Sequence, residues 1–569
     1  MKQREFDKWI ESYTINPEIK EQLFMMSESQ KEDAFSKNLE FGTAGLRGKI
    51  GPGSNRMNHY VVAKTTLGYI AYLKEKYPTI YEKGIAIAYD NRKFSQEFAF
   101  LVAKLCAKEQ IKVHIFENLR PTPQLSFAIR ELGCLGGVNI TASHNPSEYN
   151  GYKIYDGEGG QILPDEANLI MEHIEKIKNE LDIEIENIEA DESLIIKLGN
   201  EMDERFIEEV LNHKLLDNTI SKDCPVVYTP LHGTGGTIIP KMLEKGRYGS
   251  IFTINTQMIP DPNFTTCKSP NPEDMNAFAQ GIEKANQLRV NYVIATDPDA
   301  DRVGVCVRRH NQDFKLLTGN ELGALLLHYI LEQRSFQGKL ASNSLMIDTV
   351  VTSDLGKEIA KKYGLFNISV LTGFKYIGKL VNEFRKSDEY QFEFGYEESL
   401  GYLSSSYVGD KDAISSTLLI VEMINFYHAQ EMTLLDGLKE IYEEYGYYQN
   451  KQISISLEPT VASDRIKLIM DYFRADEFNE VDGLGVTDIY DYYEQIHYTS
   501  EDPIKIMLPK ENALKLVLED GCWIAIRPSG TEPKLKFYIG AQADTILKVQ
   551  DRILELQQYI NQTLEDLFE

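Results

Sequence analysis

Three aspartates at alternate positions are the clearest candidates for chemistry in this sequence. Asp297, Asp299 and Asp301 stand in YVIATDPDADRVGVCV, between two apolar runs typical of strands. Residues at i, i+2 and i+4 of a strand share one face, where three carboxylates repel one another unless a cation lies among them. Oxygen ligands suit a hard ion such as Mg²⁺ or Ca²⁺. The stretch predicts a metal site with an open position for a phosphate oxygen; the alternative is a solvated acidic turn.

An EF-hand calcium loop is excluded for this stretch. Such a loop also begins with carboxylates at its first, third and fifth positions, but it needs glycine at the sixth and glutamate at the twelfth. Here those positions hold Arg302 and Arg308.

A single serine follows the apolar run in GVNITASHNPSEYNGYKIY. The neighbours of Ser143 are alanine and histidine, so the glycine-flanked nucleophile turn of hydrolases is not indicated. Adjacent side chains in extended backbone point apart, so His144 is not automatically a base for Ser143. We predict that Ser143 carries a phosphoryl group whose oxygens complete the metal shell. The alternative is a Ser-His pair that only caps local structure.

Lys153 comes ten residues after this serine. A turn at Asn150-Gly151 is expected to bring it back, where it offsets charge or shuttles a proton.

Three further loops carry residues suited to anions or sugars. IRPSGTEPKLKFY offers the guanidinium fork of Arg527, hydroxyls from Ser529 and Thr531, and backbone access at Gly530. It lacks the order of a Walker A loop, and a plain structural turn is the alternative. FGYEESLGY presents Glu397 and Ser399 for sugar hydroxyls or, alternatively, an acidic surface turn, and FGTAGLRGK places Arg47 among glycines for anion contact.

The elements that position these loops repeat along the chain. Gly84–Asp90 is predicted as a strand, Ser95 as the N-cap of the helix that follows it, and IKVHIF as a second strand. Two more strand-helix-strand units begin at CPVVYTP and SLMIDTVV, and ligand loops in such sheets lie at the carboxyl ends of strands. After about residue 450, closely spaced strands and a final long helix near Asp544 predict an antiparallel sheet with helices.

The predicted fold class is therefore α/β, with three similar mixed α/β domains built on βαβ units and a C-terminal α+β domain. The predicted boundaries are 1–203, 204–316, 317–448 and 449–569. In order, these domains carry the phosphoserine loop, the metal-binding loop, the sugar-binding loop and the phosphate-binding loop.

Charge and composition exclude several classes of function. The formal net charge of −27 argues against nucleic-acid binding and against anionic membranes. The six cysteines form no CxxC pair, which is typical of a reduced, cytoplasmic protein. The N-terminus shows no signal peptide, and the apolar stretch GALLLHYIL is too short to span a bilayer.

Taken together, TASHNP, DPDADR, GYEES and RPSGTEP resemble the α-D-phosphohexomutase superfamily in their order and spacing, over nearly the whole chain. The resemblance implies four domains around a central cleft and a phosphoserine at Ser143. It implies Mg²⁺ on Ser143, Asp297, Asp299 and Asp301, and a catalytic set of Ser143, His144, Lys153, Arg47, Arg302 and Lys411. Substrate contacts would come from Thr372 and Gly373 of LTGFK, from Glu397 and Ser399, and from Arg527, Ser529, Gly530 and Thr531 around the non-reacting phosphate.

One departure bears on the sugar. Many bacterial phosphomannomutase/phosphoglucomutases carry a histidine after the sugar loop, where this chain has Gly401 and Tyr402. Lys411 in GDKDA resembles the lysine of the phosphoglucomutase/phosphopentomutase branch. The resemblance thus implies interconversion of glucose 1-phosphate and glucose 6-phosphate, with glucose 1,6-bisphosphate as intermediate and activator. Pentose phosphates, mannose phosphates, a phosphoserine-dependent phosphatase and a non-catalytic sugar-phosphate-binding protein stay as alternatives, and monomer and dimer both stay open.

Overall fold

The computed structural model describes residues 2–42, 45–458, 461–475, 479–529 and 534–568. The chain forms two compact units. The first comprises Met1–Thr318, Ile377–Phe392 and Ser399–Gln430, and the second comprises Gly319–Tyr376, Glu393–Glu398 and Glu431–Glu569. Within these described ranges, no helix has the length and apolar character needed to cross a bilayer.

The N-terminal third builds a mixed sheet between helices. Its helices are α1 (Lys2–Glu11), α2 (Pro17–Met25), α3 (Glu28–Phe35), α4 (His59–Lys76), α5 (Ile80–Lys83), α6 (Ser95–Lys108), α7 (Thr122–Glu131) and α8 (Pro164–Lys176), with 3₁₀ turns at Glu180–Asp182 and Glu192–Leu194. Its strands are β1 (Phe41–Gly42), β2 (Gly45–Lys49), β3 (Ile85–Tyr89), β4 (Val113–Phe116), β5 (Gly136–Ile140), β6 (Tyr149–Asp156) and β7 (Ile195–Leu198).

The strands of this first sheet lie in the order β1-β2-β6-β5-β3-β4-β7. β5, β3, β4 and β7 are parallel, whereas β6 runs antiparallel to both β5 and β2. The predicted turn at Asn150-Gly151 is wrong, because both residues lie inside β6. A Cβ at Gly151 would lie 2.5 Å from Thr141 O and 2.8 Å from Leu46 O, so the glycine allows close backbone approach rather than a turn.

The second α/β region contains α9 (Asn200–Asn212), α10 (Gly235–Lys245), a 3₁₀ turn at Met275–Phe278 and α11 (Ala279–Leu288). Its strands are β8 (Val226–Thr229), β9 (Ile251–Thr253), β10 (Tyr292–Thr296), β11 (Val303–Arg308) and β12 (Phe314–Leu316), ordered β12-β11-β10-β8-β9. β10 and β11 form an antiparallel hairpin, and residues 297–302 make its connection. β10 is also parallel to β8, and all five of its residues are buried.

The third α/β region contributes to both compact units. Its elements are α12 (Gly319–Phe336), β13 (Ser344–Thr349), α13 (Leu355–Lys362), β14 (Phe366–Val370), α14 (Phe374–Ser387), β15 (Gln391–Glu397), β16 (Gly401–Leu403), α15 (Ala413–His428) and α16 (Leu434–Tyr445). In the second unit β13 lies between β14 and β15 and is parallel to β14. In the first unit α15 packs against α10.

The C-terminal region forms an antiparallel sheet covered by helices. Its elements are β17 (Tyr447–Ser456), α17 (Ala462–Phe473), β18 (Glu480–Val481), β19 (Leu484–Asp491), β20 (Ile496–Tyr498), β21 (Ile504–Lys505), β22 (Leu514–Leu518), β23 (Trp523–Pro528), β24 (Lys534–Ala543) and α18 (Ile546–Phe568). The strand order is β17-β24-β23-β22-β19-β20-β21, and β18 pairs with β19. Its core joins Phe473 of α17, Phe537 of β24 and Leu556 of α18.

The structure confirms the predicted fold class and all three predicted βαβ units, whose outer strands pair in parallel as β3/β4, β8/β9 and β13/β14. The predicted N-cap role of Ser95 is wrong. Ser95 is the first residue of α6, the left-handed Phe94 precedes it, and its Oγ donates to Asp90 Oδ1 at 2.7 Å. The four domain boundaries stay predictions.

Candidate active site

The loop after β5 carries Ser143 in an unusual backbone conformation. Its φ is +51°, in the left-handed region that non-glycine residues seldom adopt. The Ser143 N–H donates to Thr141 Oγ1 at 2.9 Å, and the Ser143 hydroxyl lies 3.2 Å from His144 Nδ1. The expectation that these two side chains point apart is wrong, because Ser143 is not extended. The left-handed backbone of Ser143 brings its hydroxyl and the His144 imidazole together.

The three aspartates occupy the β10–β11 connection rather than one face of a strand. Each offers a carboxylate oxygen within 4.8 Å of the others, and all three are at most 2% exposed. Asp299 Oδ1 and Asp301 Oδ1 are buried and find no hydrogen-bond partner within the described ranges. Burial of carboxylate oxygens without a hydrogen bond is costly, and a cation among them reduces the cost. The residues therefore fit a hard metal ion.

The serine and the aspartate cluster meet directly. The Ser143 hydroxyl donates to Asp297 Oδ2 at 2.7 Å, and only 3% of Ser143 is exposed. Asp297 Oδ1 accepts from the main-chain N–H groups of Asp301 (3.1 Å) and Arg302 (3.0 Å), which fixes its carboxylate. The serine hydroxyl and the three carboxylates that could hold a metal ion thus share one buried site.

Three cationic side chains surround this cluster. Lys153 Nζ lies 2.7 Å from Asp299 Oδ2 and 3.4 Å from Asp301 Oδ2. Lys411 Nζ lies 3.2 Å from Asp301 Oδ2, and Arg302 Nε lies 3.9 Å from Asp301 Oδ1. These cations offset the carboxylates inside a protein of strongly negative net charge.

The pKa values reflect this balance. Burial, with the charges of Asp299 and Asp301, raises the pKa of Asp297 well above its usual value. Burial opposes ionisation of Asp299 too, but the Lys153 ammonium, the hydrogen bonds with Asp297 and Lys153 and the charge of Lys411 together outweigh it and lower the pKa of Asp299. Burial also disfavours the charged form of Lys153, yet Asp299 and Asp301 raise its pKa. Lys153 is therefore a persistent cation suited to donating a hydrogen bond.

His144 and Arg47 lie beside the serine. Burial, followed by the charges of Arg302 and Arg47, lowers the pKa of His144 well below its usual value, so its imidazole is neutral at pH 7. Arg47 is exposed on β2, and its Nη1 donates to Asn145 Oδ1 at 3.1 Å.

Gly401 makes room for Lys411. A Cβ at position 401 would lie 2.3 Å from Lys411 Cδ and 3.0 Å from Lys411 Cγ. The ammonium of Lys411 is also held 3.2 Å from Asp410 Oδ1, and Asp410 Oδ2 accepts from the Tyr155 hydroxyl at 3.0 Å. The glycine and the lysine at these two positions therefore form one steric arrangement.

Sequence reasoning missed two residues of this site. Thr122, at the start of α7, donates from its main-chain N–H to Asp299 O at 2.8 Å and from Oγ1 to Asp299 Oδ2 at 3.0 Å. Arg92 lies beneath the serine loop and donates to Ser143 O at 2.6 Å. Arg92 follows strand β3 and Thr122 follows strand β4. Loops at the carboxyl ends of strands bind ligands in α/β sheets, so this position could have marked both residues as candidates.

A second group of predicted residues lies in the second compact unit. Glu397, at the end of β15, accepts from the Gly373 N–H at 2.8 Å, and Gly373 has a φ of +124°. Arg527, at the end of β23, donates from Nε to a Glu511 carboxylate oxygen, and both residues line a small pocket with Thr372.

The rest of this group is only partly described. Ser529 is half-buried, and its N–H donates to Lys534 O at 2.8 Å. Gly530 and Thr531 lie outside the described residues. Ser399 is half-buried and belongs to the first unit.

Comparison with known proteins identifies the family. The chain is 38% identical over 527 residues to the phosphoglucomutase of Staphylococcus haemolyticus (strain JCSC1435), which covers 92% of this chain and 94% of that protein. Four models of phosphoglucomutase/phosphomannomutase domains match it: α/β/α domain I at residues 38–181, domain II at 204–311, domain III at 318–445 and the C-terminal domain at 477–556. The chain belongs to the phosphoglucomutase/phosphomannomutase family.

Other family members agree with this result. The phosphoglucomutase of Staphylococcus aureus (strain MSSA476) is 36% identical over 532 residues, 93% of this chain and 94% of that protein. A putative phosphomannomutase from Thermus thermophilus superposes with a TM-score of 0.68 at 22% identity, covering 93% of this chain and 99% of that one. Paramecium parafusin, a phosphoglucomutase in its open form, gives 0.65 at 18% identity, with 93% and 95% covered. The two superpositions establish the shared fold. The domain models and the identities with the two phosphoglucomutases confirm the predicted membership of the superfamily.

Proposed function

We propose that this member of the family is a phosphoglucomutase, which interconverts α-D-glucose 1-phosphate and glucose 6-phosphate. The contact between the Ser143 hydroxyl and Asp297, inside a buried three-aspartate cluster, carries this proposal. The identity of 38% with a Staphylococcus haemolyticus phosphoglucomutase supports glucose as the sugar.

Ser143 is the proposed phosphoryl carrier. Its left-handed backbone places Oγ beside both Asp297 and His144. Phosphoryl transfer needs positioning and charge neutralisation more than elaborate covalent chemistry, and these contacts supply positioning.

Asp297, Asp299 and Asp301, with a phosphoryl oxygen on Ser143, would hold Mg²⁺. When bound, this ion supplies neutralisation of the charge that develops on the transferring group. Lys153, Lys411 and Arg302 are proposed to add hydrogen bonds and positive charge around the same oxygens, and Arg47 to contact the substrate anion. All-oxygen donors and two buried carboxylate oxygens without a hydrogen bond support this choice of metal.

The second phosphate is proposed to bind Arg527, Ser529, Gly530 and Thr531. A guanidinium fork matches phosphate geometry and holds the substrate in either orientation. Glu397 and Ser399, with Thr372 and Gly373, are proposed to hold sugar hydroxyls.

Two transfers complete the proposed reaction. The bond from phosphorus to Ser143 Oγ breaks as a bond to O6 of glucose 1-phosphate forms; the O6 proton passes to a neighbouring base, and Ser143 Oγ takes up a proton. The resulting glucose 1,6-bisphosphate turns. The bond from its second phosphorus to O1 then breaks as a bond to Ser143 Oγ forms, while Ser143 gives up its proton and O1 takes one up. The products are glucose 6-phosphate and a regenerated phosphoserine.

A cytoplasmic location is proposed on the chemistry of the cysteines. All six are buried free thiols, which persist in a reducing compartment.

A side-by-side coupled assay tests the proposal. Purified enzyme is given glucose 1-phosphate, ribose 1-phosphate or mannose 1-phosphate, with Mg²⁺ and the matching bisphosphate. We expect the highest kcat/KM with glucose 1-phosphate and loss of turnover in Ser143→Ala. A higher kcat/KM with ribose 1-phosphate would replace the proposal by a phosphopentomutase, and normal turnover in Ser143→Ala would remove the phosphoserine.

A further inference from the structure

Arg92 binds the serine loop from below through main-chain oxygens. Its Nη2 donates to the carbonyl oxygens of Ser143 (2.6 Å) and Asn145, and its Nη1 donates to those of Pro146 (2.8 Å) and Tyr149 (3.0 Å). Its side chain is fully buried. One guanidinium therefore fixes four carbonyl groups along seven residues of chain.

Arg92 is itself held in place on two sides. Asp90 Oδ2 lies 3.2 Å from Arg92 Nε, and Asp90 Oδ1 accepts from the Arg92 main-chain N–H at 2.9 Å. The ring centroid of Phe264 lies 5.1 Å from the guanidinium carbon. Asp90 neutralises the charge and Phe264 covers the group, so Arg92 acts through the geometry of its hydrogen bonds.

The loop needs such restraint because of Ser143. A non-glycine residue with positive φ persists only where its surroundings over-determine the backbone. The carbonyl of the strained residue itself, Ser143 O, accepts the 2.6 Å hydrogen bond from Arg92. The same strained backbone directs Oγ to Asp297 and brings His144 within 3.2 Å.

We propose that Arg92 is a positioning residue for phosphoryl transfer: its contacts with four loop carbonyls hold Ser143 in the left-handed conformation that presents Oγ to the aspartate cluster. This inference rests on the proposed role of Ser143 as phosphoryl carrier. The guanidinium hydrogen bonds of Arg92 end on main-chain oxygens rather than on the Ser143 hydroxyl. Its effect passes through the backbone of the loop, where small misplacement of a reacting group strongly reduces rate.

The test uses Arg92→Lys, which keeps the charge but loses the planar fork. The phosphate content of the full-length phosphoenzyme is measured by intact-mass spectrometry. The phosphoenzyme is then mixed with glucose 1-phosphate in a rapid-quench instrument. The rate of transfer is then expressed per phosphorylated molecule, so a loss of folded protein does not affect it. We expect at least a tenfold slower transfer, with the dissociation constant for glucose 6-phosphate changed less than twofold. A wild-type transfer rate would overturn the inference.

Arg552→Lys is the matched control. Arg552 has a side chain only 12% exposed and pairs with Asp482, Asp520 and Glu555, distant in sequence from the serine loop. We expect a similar fall in Tm with an unchanged transfer rate. An equal loss of transfer rate in Arg552→Lys would reduce the effect at Arg92 to general destabilisation and overturn the proposal.

Asp90→Asn serves if Arg92→Lys does not fold. It keeps the carbonyl contacts of Arg92 but removes the charge that orients the guanidinium. We expect phosphoryl transfer to be about threefold to tenfold slower, because a less firmly held serine loop misplaces Ser143 Oγ. A wild-type rate in Asp90→Asn would then overturn the inference.

Ser143→Ala, run in parallel, separates the two claims. Phosphorylation elsewhere and turnover in Ser143→Ala would refute the proposed carrier. If Ser143→Ala is inactive while Arg92→Lys transfers phosphate at the wild-type rate, only the role of Arg92 is refuted.

Discussion

At the scale of single residues, the backbone of Ser143 has a measurable cost. Glycine adopts a φ of +51° freely, whereas alanine and serine do so under strain. Ser143→Ala and Ser143→Gly both remove the hydroxyl, so the difference between their free energies of unfolding reports the strain of the backbone conformation. We expect Ser143→Gly to be the more stable by roughly 1 kcal/mol, and both to lose turnover. Urea denaturation measures the difference, and an alanine variant as stable as the glycine variant would contradict the strained conformation.

Lys375 predicts a pH dependence of substrate binding. Burial, reinforced by Arg527 and opposed by Glu511 and Glu397, lowers the pKa of Lys375 to about 8. The Lys375 ammonium is therefore present below about pH 8 and lost above it. Because its charge acts on Arg527, we expect it to attract the phosphate proposed to bind there. We expect KM for glucose 1-phosphate to rise in wild-type enzyme as pH increases through this value.

Two variants check this assignment. Lys375→Arg stays charged and should keep KM flat across the same pH range, while Lys375→Met should show a raised KM throughout. An identical pH profile in Lys375→Arg and wild type would assign the titration to another group.

Glu511 is expected to compete with the substrate phosphate for Arg527. The two side chains are paired, with Arg527 28% and Glu511 21% exposed, so a phosphate has to displace a carboxylate from the guanidinium. Glu511→Gln removes that competition. We expect KM for glucose 1-phosphate to fall by a factor of about 2 to 5, consistent with a partly screened ion pair worth under about 1 kcal/mol. Steady-state kinetics measure it, and an unchanged or higher KM would show that the pair supports the site.

At the scale of elements, the β10–β11 connection predicts metal-dependent stability. Mg²⁺ that binds only the folded carboxylates stabilises the protein by mass action. We expect EDTA to abolish turnover and Mg²⁺ to restore it, with a rise in Tm on adding Mg²⁺. Asp299→Asn should lose both responses, whereas Asp488→Asn, an aspartate of β19 outside the cluster, should keep them. Full activity in chelated buffer would contradict the metal site.

The sequence predicts elements and motifs better than the contacts between them. The βαβ units were predictable because buried strands such as IAIAY and helical spacing are local signals. Ser143 and the three aspartates were found because each motif is contiguous. Arg92 and Thr122 were not, since each reaches its partner from another strand end. The turn at Asn150-Gly151 failed for a different reason: the dipeptide is typical of turns, but Gly151 serves close approach of neighbouring strands.

At the scale of the whole molecule, a strongly negative chain holds a site whose cations offset its carboxylates. The chain has a net charge of −27, while Lys153, Lys411 and Arg302 gather at the aspartate cluster. Electrostatic attraction of a polymeric anion requires an extended basic surface, whereas a small sugar phosphate needs only a few local cations. We expect no shift of duplex DNA in a gel at physiological salt, with tight binding of glucose 1,6-bisphosphate. Retardation of DNA by wild-type enzyme would contradict this view of the surface.

The mutual fit of Gly401 and Lys411 has a consequence for the history of the family. Were the histidine to stand at position 401, we expect a second change to be needed, because Gly401→His alone drives a side chain into Lys411, whose Cδ lies 2.3 Å from the first atom added. Loss of Lys411 first removes a cation before any replacement is present. Each order of mutation passes through a poorer intermediate, so natural variants with only one of the two changes should be rare. We therefore expect sign epistasis between positions 401 and 411 when the single and double variants are compared by kcat/KM.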